Sequence, residues 1–110
     1  MGEPELRARL SEEGLDAHAW DNGPFDHYGE HRHAYDKVLV TAAGSVTFHL
    51  PEIGRDVLLE TGDRLELPKG TLHGADVGAQ GVTCLEAHLP GGTFAGAPRH
   101  IPGWGTKDGG

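Results

Sequence analysis

Three histidines, in two short stretches of the chain, are the residues best suited to chemistry. His31 and His33 lie two positions apart at the start of an apparent strand, where alternate side chains point to the same face. His73 ends a second stretch that begins at Gly62. Three neutral imidazoles that converge on one point suit a divalent transition metal better than Mg²⁺ or Ca²⁺. Because three protein ligands leave coordination positions open, the pattern is typical of a catalytic rather than a structural site.

Two further polar side chains share the strand parity of His33 and are predicted to point into the same cavity. Lys37 could bind an anionic group of a substrate beside the metal, or serve as an acid or a base. The alternative is a lysine that extends to solvent at the cavity mouth and takes no part in chemistry. Tyr35 could hydrogen-bond a substrate or a metal-bound ligand, or pack in the core with its hydroxyl at the rim. Asp36, on the opposite face, is predicted to be solvated or in a surface ion pair.

The apparent strand over residues 82–89 leaves two orientations open. If Cys84, Glu86 and His88 face inward, Glu86 can pair with Lys37 and serve the site. If the opposite, apolar face forms the core, Glu86 and His88 lie on the solvated surface. Alternation along the strand does not decide between the two. Cys84 is predicted to be a small buried apolar residue rather than a nucleophile.

The spacing of these residues resembles the two motifs of the cupin superfamily. The first motif is G(X)5HXH(X)3,4E(X)6G, and His31, His33 and Gly44 keep its spacing. The second motif is G(X)5PXG(X)2H(X)3N, and four residues fall on it without a gap: Gly62, Pro68, Gly70 and His73. The resemblance covers residues 25–77, about half of the chain. It implies a small single-domain cupin, a jelly-roll β-barrel with a metal held by the motif histidines.

Three positions depart from the cupin pattern. Phe25 stands at the first glycine and Val77 at the final asparagine of the two motifs. The position of the metal-binding glutamate holds Lys37, whose ammonium group has no lone pair to give to a metal. The resemblance therefore implies three histidine ligands and no carboxylate, as in cupins similar to cysteine dioxygenase.

Composition narrows the classes of partner. The chain has 110 residues, enough for one domain with a modest core, and a formal net charge of −8. This charge argues against binding to nucleic acid or to an anionic membrane, since both need a basic face. No run of about 20 apolar residues predicts a membrane span. A single cysteine excludes an internal disulfide framework, and the N-terminal residues lack the apolar segment of a secretory signal. A cytoplasmic protein is expected.

The elements that must position the histidines are predicted to form one all-β domain. Residues 1–14 hold a short helix over 3–13, followed by a jelly-roll barrel over 15–90 and a Gly- and Pro-rich tail over 91–110. Seven or eight short strands separated by turns are expected in the barrel. The stretch 74–81 is predicted to be a loop or a ragged strand.

Three functions remain open on these residues. The first is an enzyme, in which a divalent metal (Fe, Mn, Ni, Cu or Zn) binds a small substrate and O2, as the resemblance to dioxygenase-like cupins implies. The second is a binding or sensor module that holds a small molecule or a metal without turnover. The third is a metal-free, isomerase-like barrel in which the histidines and Lys37 act as plain acid, base or hydrogen-bonding groups. The resemblance and the strand edges of such a barrel favour a homodimer.

Overall fold

The computed structural model describes residues 2–89, 94 and 96–105, and in them one α-helix precedes seven strands. The elements in chain order are α1 (Glu3–Glu12), β1 (His18–Asn22), β2 (His27–His31), β3 (Asp36–Leu50), a 3₁₀ turn (Pro51–Ile53), β4 (Arg55–Glu60), β5 (Arg64–Leu67), β6 (His73–Leu89) and β7 (Arg99–Ile101). None of the helices in this part of the chain is long and apolar enough to cross a membrane.

Two long strands, β3 and β6, form the middle of the fold. They pair antiparallel from Asp36 opposite Leu89 to His49 opposite Gly74. The hydrogen-bonded order is β1-β6-β3-β5-β7, with β2 also paired to β6 and β4 also paired to β3. Every pairing in the sheet is antiparallel. The long strands therefore serve both halves of the sheet, and the predicted all-β jelly-roll barrel with a short N-terminal helix is confirmed.

The interior of the barrel is filled by the apolar faces of alternating strands. On β3, Val46, Phe48 and Leu50 point inward and are at most 3% exposed, as the alternation predicts. Cys84 lies in the same cluster, and burial raises the pKa of its thiol to about 12, which confirms a buried apolar role. The full interior cluster, with Trp20 packed against it, is Leu39, Val46, Phe48, Leu50, Val57, Leu59, Leu65, Leu67, Ala75, Val77, Val82 and Cys84.

A second core lies on the outer face of β3 and β6, beneath α1. Leu6 and Leu10, four apart on the helix, are fully buried there. A helix of 10 residues is marginal by itself, so this packing is what holds it. We call this group the outer core; its members are Leu6, Leu10, Leu15, Ala17, Val38, Val40, Leu85 and Ala87, with Ala42, Leu89, Phe94 and Trp104 packed around them.

Gly44 shows why the first motif ends in glycine. Its φ is 73°, in the left-handed region, and the β3–β6 register shifts on both sides of it. A Cβ at Gly44 would lie 2.0 Å from the carbonyl oxygen of Gly81, far inside contact distance. Only glycine allows β3 to bend here and carry its second half across to β4 and the far end of β6.

Two segments are more regular than the sequence-based expectation. Of the two alternatives for residues 74–81, the structure has the strand: they belong to the continuous strand β6, in which residues 74–77 pair with β3, and Ala75 and Asp76 also pair with β2. Within the segment predicted as a tail, β7 pairs with β5, and Gly105 donates to the carbonyl of Gly62 at 2.7 Å.

Asp36 corrects the prediction of a solvated or surface-paired carboxylate. The residue is fully buried, and its two oxygens accept backbone N–H groups from Lys69 at 2.8 Å and from Phe94 at 2.5 Å. Strand parity placed Asp36 on the outer face correctly, but the chain that covers this face comes from distant parts of the sequence. The carboxylate thus fastens the loop before His73 and the segment after β6 to the start of β3.

Phe25, at the position of the first motif glycine, keeps the backbone shape of a glycine. Its φ is 62°, and its side chain is 74% exposed. The left-handed conformation costs a side-chain-bearing residue about 1–2 kcal/mol, whereas a glycine at the same position costs about 0.5–1 kcal/mol of conformational entropy on folding.

We expect Phe25→Gly to raise the free energy of unfolding by about 0.5 kcal/mol in urea titrations. Phe25→Ala keeps the strained φ and is the control; a Gly variant less stable than the Ala variant would contradict this account.

Candidate metal centre

The three motif histidines come from three different structural contexts and meet at one end of the barrel. His31 is the last residue of β2, His33 lies in the connection to β3, and His73 begins β6 directly opposite His31. One ring nitrogen of each lies within 4.8 Å of the others. The strand that was expected to start at His31 is in fact broken between His31 and His33. Their convergence therefore depends on the loop as well as on strand parity.

Backbone carbonyls orient two of the imidazoles. Nδ1 of His31 lies 2.9 Å from the carbonyl oxygen of Gly29, and Nδ1 of His73 lies 2.9 Å from that of Thr71. A carbonyl oxygen only accepts, so in each ring Nδ1 carries the hydrogen and Nε2 of the neutral ring keeps its lone pair. This is the arrangement by which backbone groups fix the tautomer of a metal-binding histidine.

His33 is held by two side chains and by its own backbone. Its Nδ1 lies 2.9 Å from the Tyr35 hydroxyl, and its Nε2 lies 3.4 Å from Nζ of Lys37. Its carbonyl accepts the N–H of Gly70 at 2.8 Å, which ties the first motif to the second. Burial, with Lys37 and His31 as further causes, lowers the pKa of His33 below its usual value.

His73 supplies the best test of whether these residues fit a metal. The residue is only 3% exposed, and its Nε2 has no hydrogen-bond partner in the described structure. Burial lowers the pKa of His73 to about 4, so the ring is neutral at pH 7. A buried, unprotonated nitrogen without a partner is costly unless something accepts its lone pair. A borderline metal ion beside two other imidazoles satisfies that requirement.

Lys37 lies next to the three histidines, as strand parity predicts. Its side chain is only 9% exposed, and Nζ lies 3.4 Å from Nε2 of His33 and 3.4 Å from Oε1 of Glu86. The ammonium group therefore stands between a candidate metal ligand and a carboxylate. A cation in this place opposes a dication at the histidines and attracts an anion brought to them.

Glu86 faces the cavity, which decides the orientation that the sequence left open. Its Oε1 accepts the indole N–H of Trp20 at 3.0 Å, and its Oε2 lies 2.5 Å from Nε2 of His88. Burial opposes ionisation of Glu86, but His88, Lys37 and Trp20 outweigh it and hold the carboxyl pKa below its usual value. The apolar alternative face, with Leu85, packs in the outer core instead of the barrel interior.

Tyr35 and His88 form the rim of the site. Their rings stack with centroids 4.2 Å apart, and Tyr35 also stacks on His33 at 4.9 Å. Burial, with the nearby Glu86 charge, raises the pKa of the Tyr35 phenol above its usual value, so the hydroxyl keeps its hydrogen at neutral pH. A continuous chain of polar contacts thus runs along one side of the triad and ends at His33. Its members are His88, Glu86, Lys37, Tyr35 and His33.

A cavity of about 220 Å³ opens beside the histidines. His31, His73, Lys37 and Glu86 give it a polar side, and the rest of its wall is mostly apolar: Trp20, Tyr28, Phe48, Gly74 and Ala75. The two aromatic residues of β1 and β2 are in edge-to-face contact, with ring centroids 6.1 Å apart. Sequence reasoning missed this pair because Trp20 precedes the first motif and Tyr28 occupies a position at which the motif specifies no residue type.

Among known proteins, two acireductone dioxygenases are similar in sequence over part of the chain. Acireductone dioxygenase 2 of Nocardia farcinica is 48% identical over 52 residues, which is 44% of this chain and 27% of the relative. Acireductone dioxygenase of Stutzerimonas stutzeri is 42% identical over 53 residues, 46% of this chain and 29% of the relative. The similarity thus spans less than a third of either relative. No family model matches the chain.

Solved structures share the fold over most of the chain. A DMSP lyase is 25% identical with a TM-score of 0.64, covering 77% of this chain and 43% of the lyase. Oxalate decarboxylase of Bacillus subtilis is 21% identical, with a TM-score of 0.60 and coverage of 74% and 22%. A cupin superfamily protein of Desulfitobacterium hafniense is 15% identical, with a TM-score of 0.60 and coverage of 68% and 66%. The chain therefore has the jelly-roll barrel fold of the cupin superfamily, with a triad of histidines at one end.

Proposed function

We propose that this chain is a mononuclear metal cupin that acts on a small anionic molecule by dioxygenase-like chemistry. His31, His33 and His73 would hold a divalent transition metal, among Fe, Mn, Ni, Cu and Zn. The observation that carries the proposal is the buried Nε2 of His73, which has no hydrogen-bond partner among the described residues and lies beside two other imidazoles. The partial sequence similarity to two acireductone dioxygenases supports the reaction class.

The shape and charge of the cavity define the class of substrate. Its volume of about 220 Å³ suits a small metabolite rather than a polymer. Lys37 places a positive charge at the polar side, and Trp20 and Phe48 form part of an apolar wall. The substrate is therefore a small molecule with an anionic oxygen group, bound at Lys37, and an apolar part against the aromatic wall.

Each polar residue has a distinct role in this proposal. The metal, when bound, supplies open coordination positions where oxygen atoms of a substrate and O2 can be brought together. Lys37 binds the anionic group, and Glu86, itself fixed by Trp20, holds the Lys37 ammonium in place. The Tyr35 hydroxyl contacts Nδ1 of His33 and so fixes the orientation of that ring.

One contact favours a second candidate, a barrel that works without metal. The Lys37 ammonium lies 3.4 Å from Nε2 of His33 and can supply the positive charge that a metal supplies in other cupins. In that case the site binds an anion, or isomerises it, by hydrogen bonds and proton transfer alone.

Metal content decides between the two candidates. We expect tag-free protein to contain close to one equivalent of transition metal per chain by elemental analysis, or to take up one equivalent of Fe, Mn or Ni on reconstitution. The loaded protein should then consume O2 with a small enediol or carboxylate in an oxygen-electrode assay, with His73→Ala protein as the blank. Protein that neither contains nor takes up metal would overturn the metal-cupin proposal in favour of the metal-free one.

A further inference from the structure

Four side chains on four strands form a hydrogen-bonded group on the outer surface of the barrel. Nδ1 of His49 on β3 lies 2.8 Å from Oδ1 of Asp56 on β4, and its Nε2 lies 2.5 Å from Oδ2 of Asp76 on β6. The other oxygen of Asp76 lies 2.7 Å from Nδ1 of His27 on β2. We call these four residues the His49 cluster. None of them belongs to the histidine triad or lines the cavity beside it.

The geometry requires His49 to carry two hydrogens on its ring. An ionised carboxylate only accepts hydrogen bonds, and both ring nitrogens of His49 face a carboxylate oxygen. Both bonds form only when the ring is an imidazolium; a neutral ring would leave one nitrogen lone pair against a negative oxygen. The hydrogen bonds to Asp56 and then Asp76 accordingly raise the pKa of His49 above its usual value.

The His49 cluster contacts β2, a strand that is exposed and irregularly paired. All five residues of β2 are exposed, and its pairing with β6 is irregular between Tyr28 and His31. His27 and Asp76 are directly opposite each other in this pairing, and the same two strands end in His31 opposite His73. His27 is bonded to one oxygen of Asp76, and His49 is bonded to the other. These contacts therefore link β2, the strand that ends at His31, to β6 and β3.

We propose that the His49 cluster is a proton-dependent clasp: the His49 imidazolium joins β3 to β4 and β6, holds Asp76 for His27, and so positions His31 against His73 until His49 loses its proton. The groups that act on His49 are Asp56 from β4 and Asp76 from β6, with His27 from β2 on the far side of Asp76. All are surface residues, so the clasp responds to the pH of the solvent.

The direction of the pH effect follows from the charge of His49. A histidine that gains partners on folding stabilises the folded chain below its unfolded value of about 6.5, and that contribution is lost as pH rises through the higher folded value. In an NMR titration of the full chain, we expect His49 to lose its proton at a distinctly higher pH than the reference value of about 6.5 for a free histidine. Titration of His49 at or below that reference value would overturn the proposal.

A pair of glutamine variants measures what the clasp does for stability. Glutamine keeps one donor for a carboxylate but cannot take up a proton. We expect His49→Gln to lower the thermal midpoint by about 4 °C at pH 6 and by less than about 1 °C at pH 9. His18→Gln, which removes a histidine on β1 outside the cluster, should show no such pH-dependent difference. A deficit in His49→Gln that is the same at both pH values would overturn the clasp.

Two further measurements test the cluster partner and the positioning role. Asp56→Asn, at an exposed side chain, should bring the His49 titration part of the way back towards the free-histidine value of about 6.5. The positioning role is tested by zinc affinity. The affinity of His49→Gln for zinc should be about threefold lower than that of wild type at pH 6.5 and equal to it at pH 8.5. Equal affinities of the variant and wild type at pH 6.5 would overturn the positioning role. If the chain takes up neither zinc nor Fe, Mn or Ni, the metal-cupin proposal fails, while the NMR and thermal tests still decide the clasp.

Discussion

Replacing His73 by alanine is expected to abolish metal binding. The other two ligands would come from His31 at the end of a strand and His33 in a loop, and two imidazoles hold a divalent ion poorly. Loss of even a supporting contact to a ligand costs about 10–100-fold in affinity, so loss of the most buried ligand should cost more than about 100-fold. We expect metal per chain to fall from near one equivalent to near zero after dialysis.

The control for this result is His18→Ala, which removes an exposed histidine from β1 and should leave metal content unchanged. The far-ultraviolet circular dichroism of metal-free His73→Ala should match that of metal-free wild type, because His73 begins its strand and its Nε2 makes no hydrogen bond within the described part of the chain. A folded His73→Ala protein that keeps a full equivalent of metal would show that the ligand set is wrong.

The second large effect is expected at Lys37. Lys37→Glu should tighten metal binding by at least about tenfold, because it removes a cation beside His33 and supplies the carboxylate of the usual cupin site. At an effective dielectric constant near 20, a unit charge about 5 Å from a dication is repelled by roughly 7 kcal/mol. Even a fifth of this energy corresponds to tenfold in affinity. Competition with a chromophoric chelator measures the change.

Lys37→Met separates the two causes of that gain. Methionine has a similar length and no charge, so it should tighten metal binding less than glutamate does. The two variants should also differ without metal: in Lys37→Glu the new carboxylate faces Glu86, so its metal-free form should be the less stable of the two. Metal affinity of Lys37→Glu no higher than that of Lys37→Met would mean that position 37 cannot reach the metal.

Much of the fold and the histidine triad could be predicted because the motif residues are required by the backbone conformation or backbone contacts at their positions. Gly44 and Gly70 both have positive φ, and the N–H of Gly70 holds His33 in place. Such conformational requirements are local, and the spacing of the residues that meet them is visible in the sequence. The same reasoning reaches Lys37, since strand parity from the first motif determines which side of β3 it occupies.

The rest of the site depends on contacts that spacing does not encode. The inward orientation of Glu86 follows from a second core, in which α1 covers the opposite face of β6. Alternation cannot distinguish an apolar face beneath a helix from one inside a barrel. Asp36 was misassigned for the same reason, because Lys69 and Phe94, which bury it, are far away in sequence. Trp20 lines the cavity from a strand without a motif.

The outer core has a consequence for how this protein can change over evolutionary time. Much of its burial lies on the side of β3 and β6 away from the cavity, where Leu6, Leu10 and Leu85 are fully enclosed. Substitutions at cavity positions such as Trp20 or Lys37 therefore leave this reserve of stability intact. A scaffold of this kind can acquire a new ligand specificity by single substitutions, because none of the outer-core residues lines the cavity.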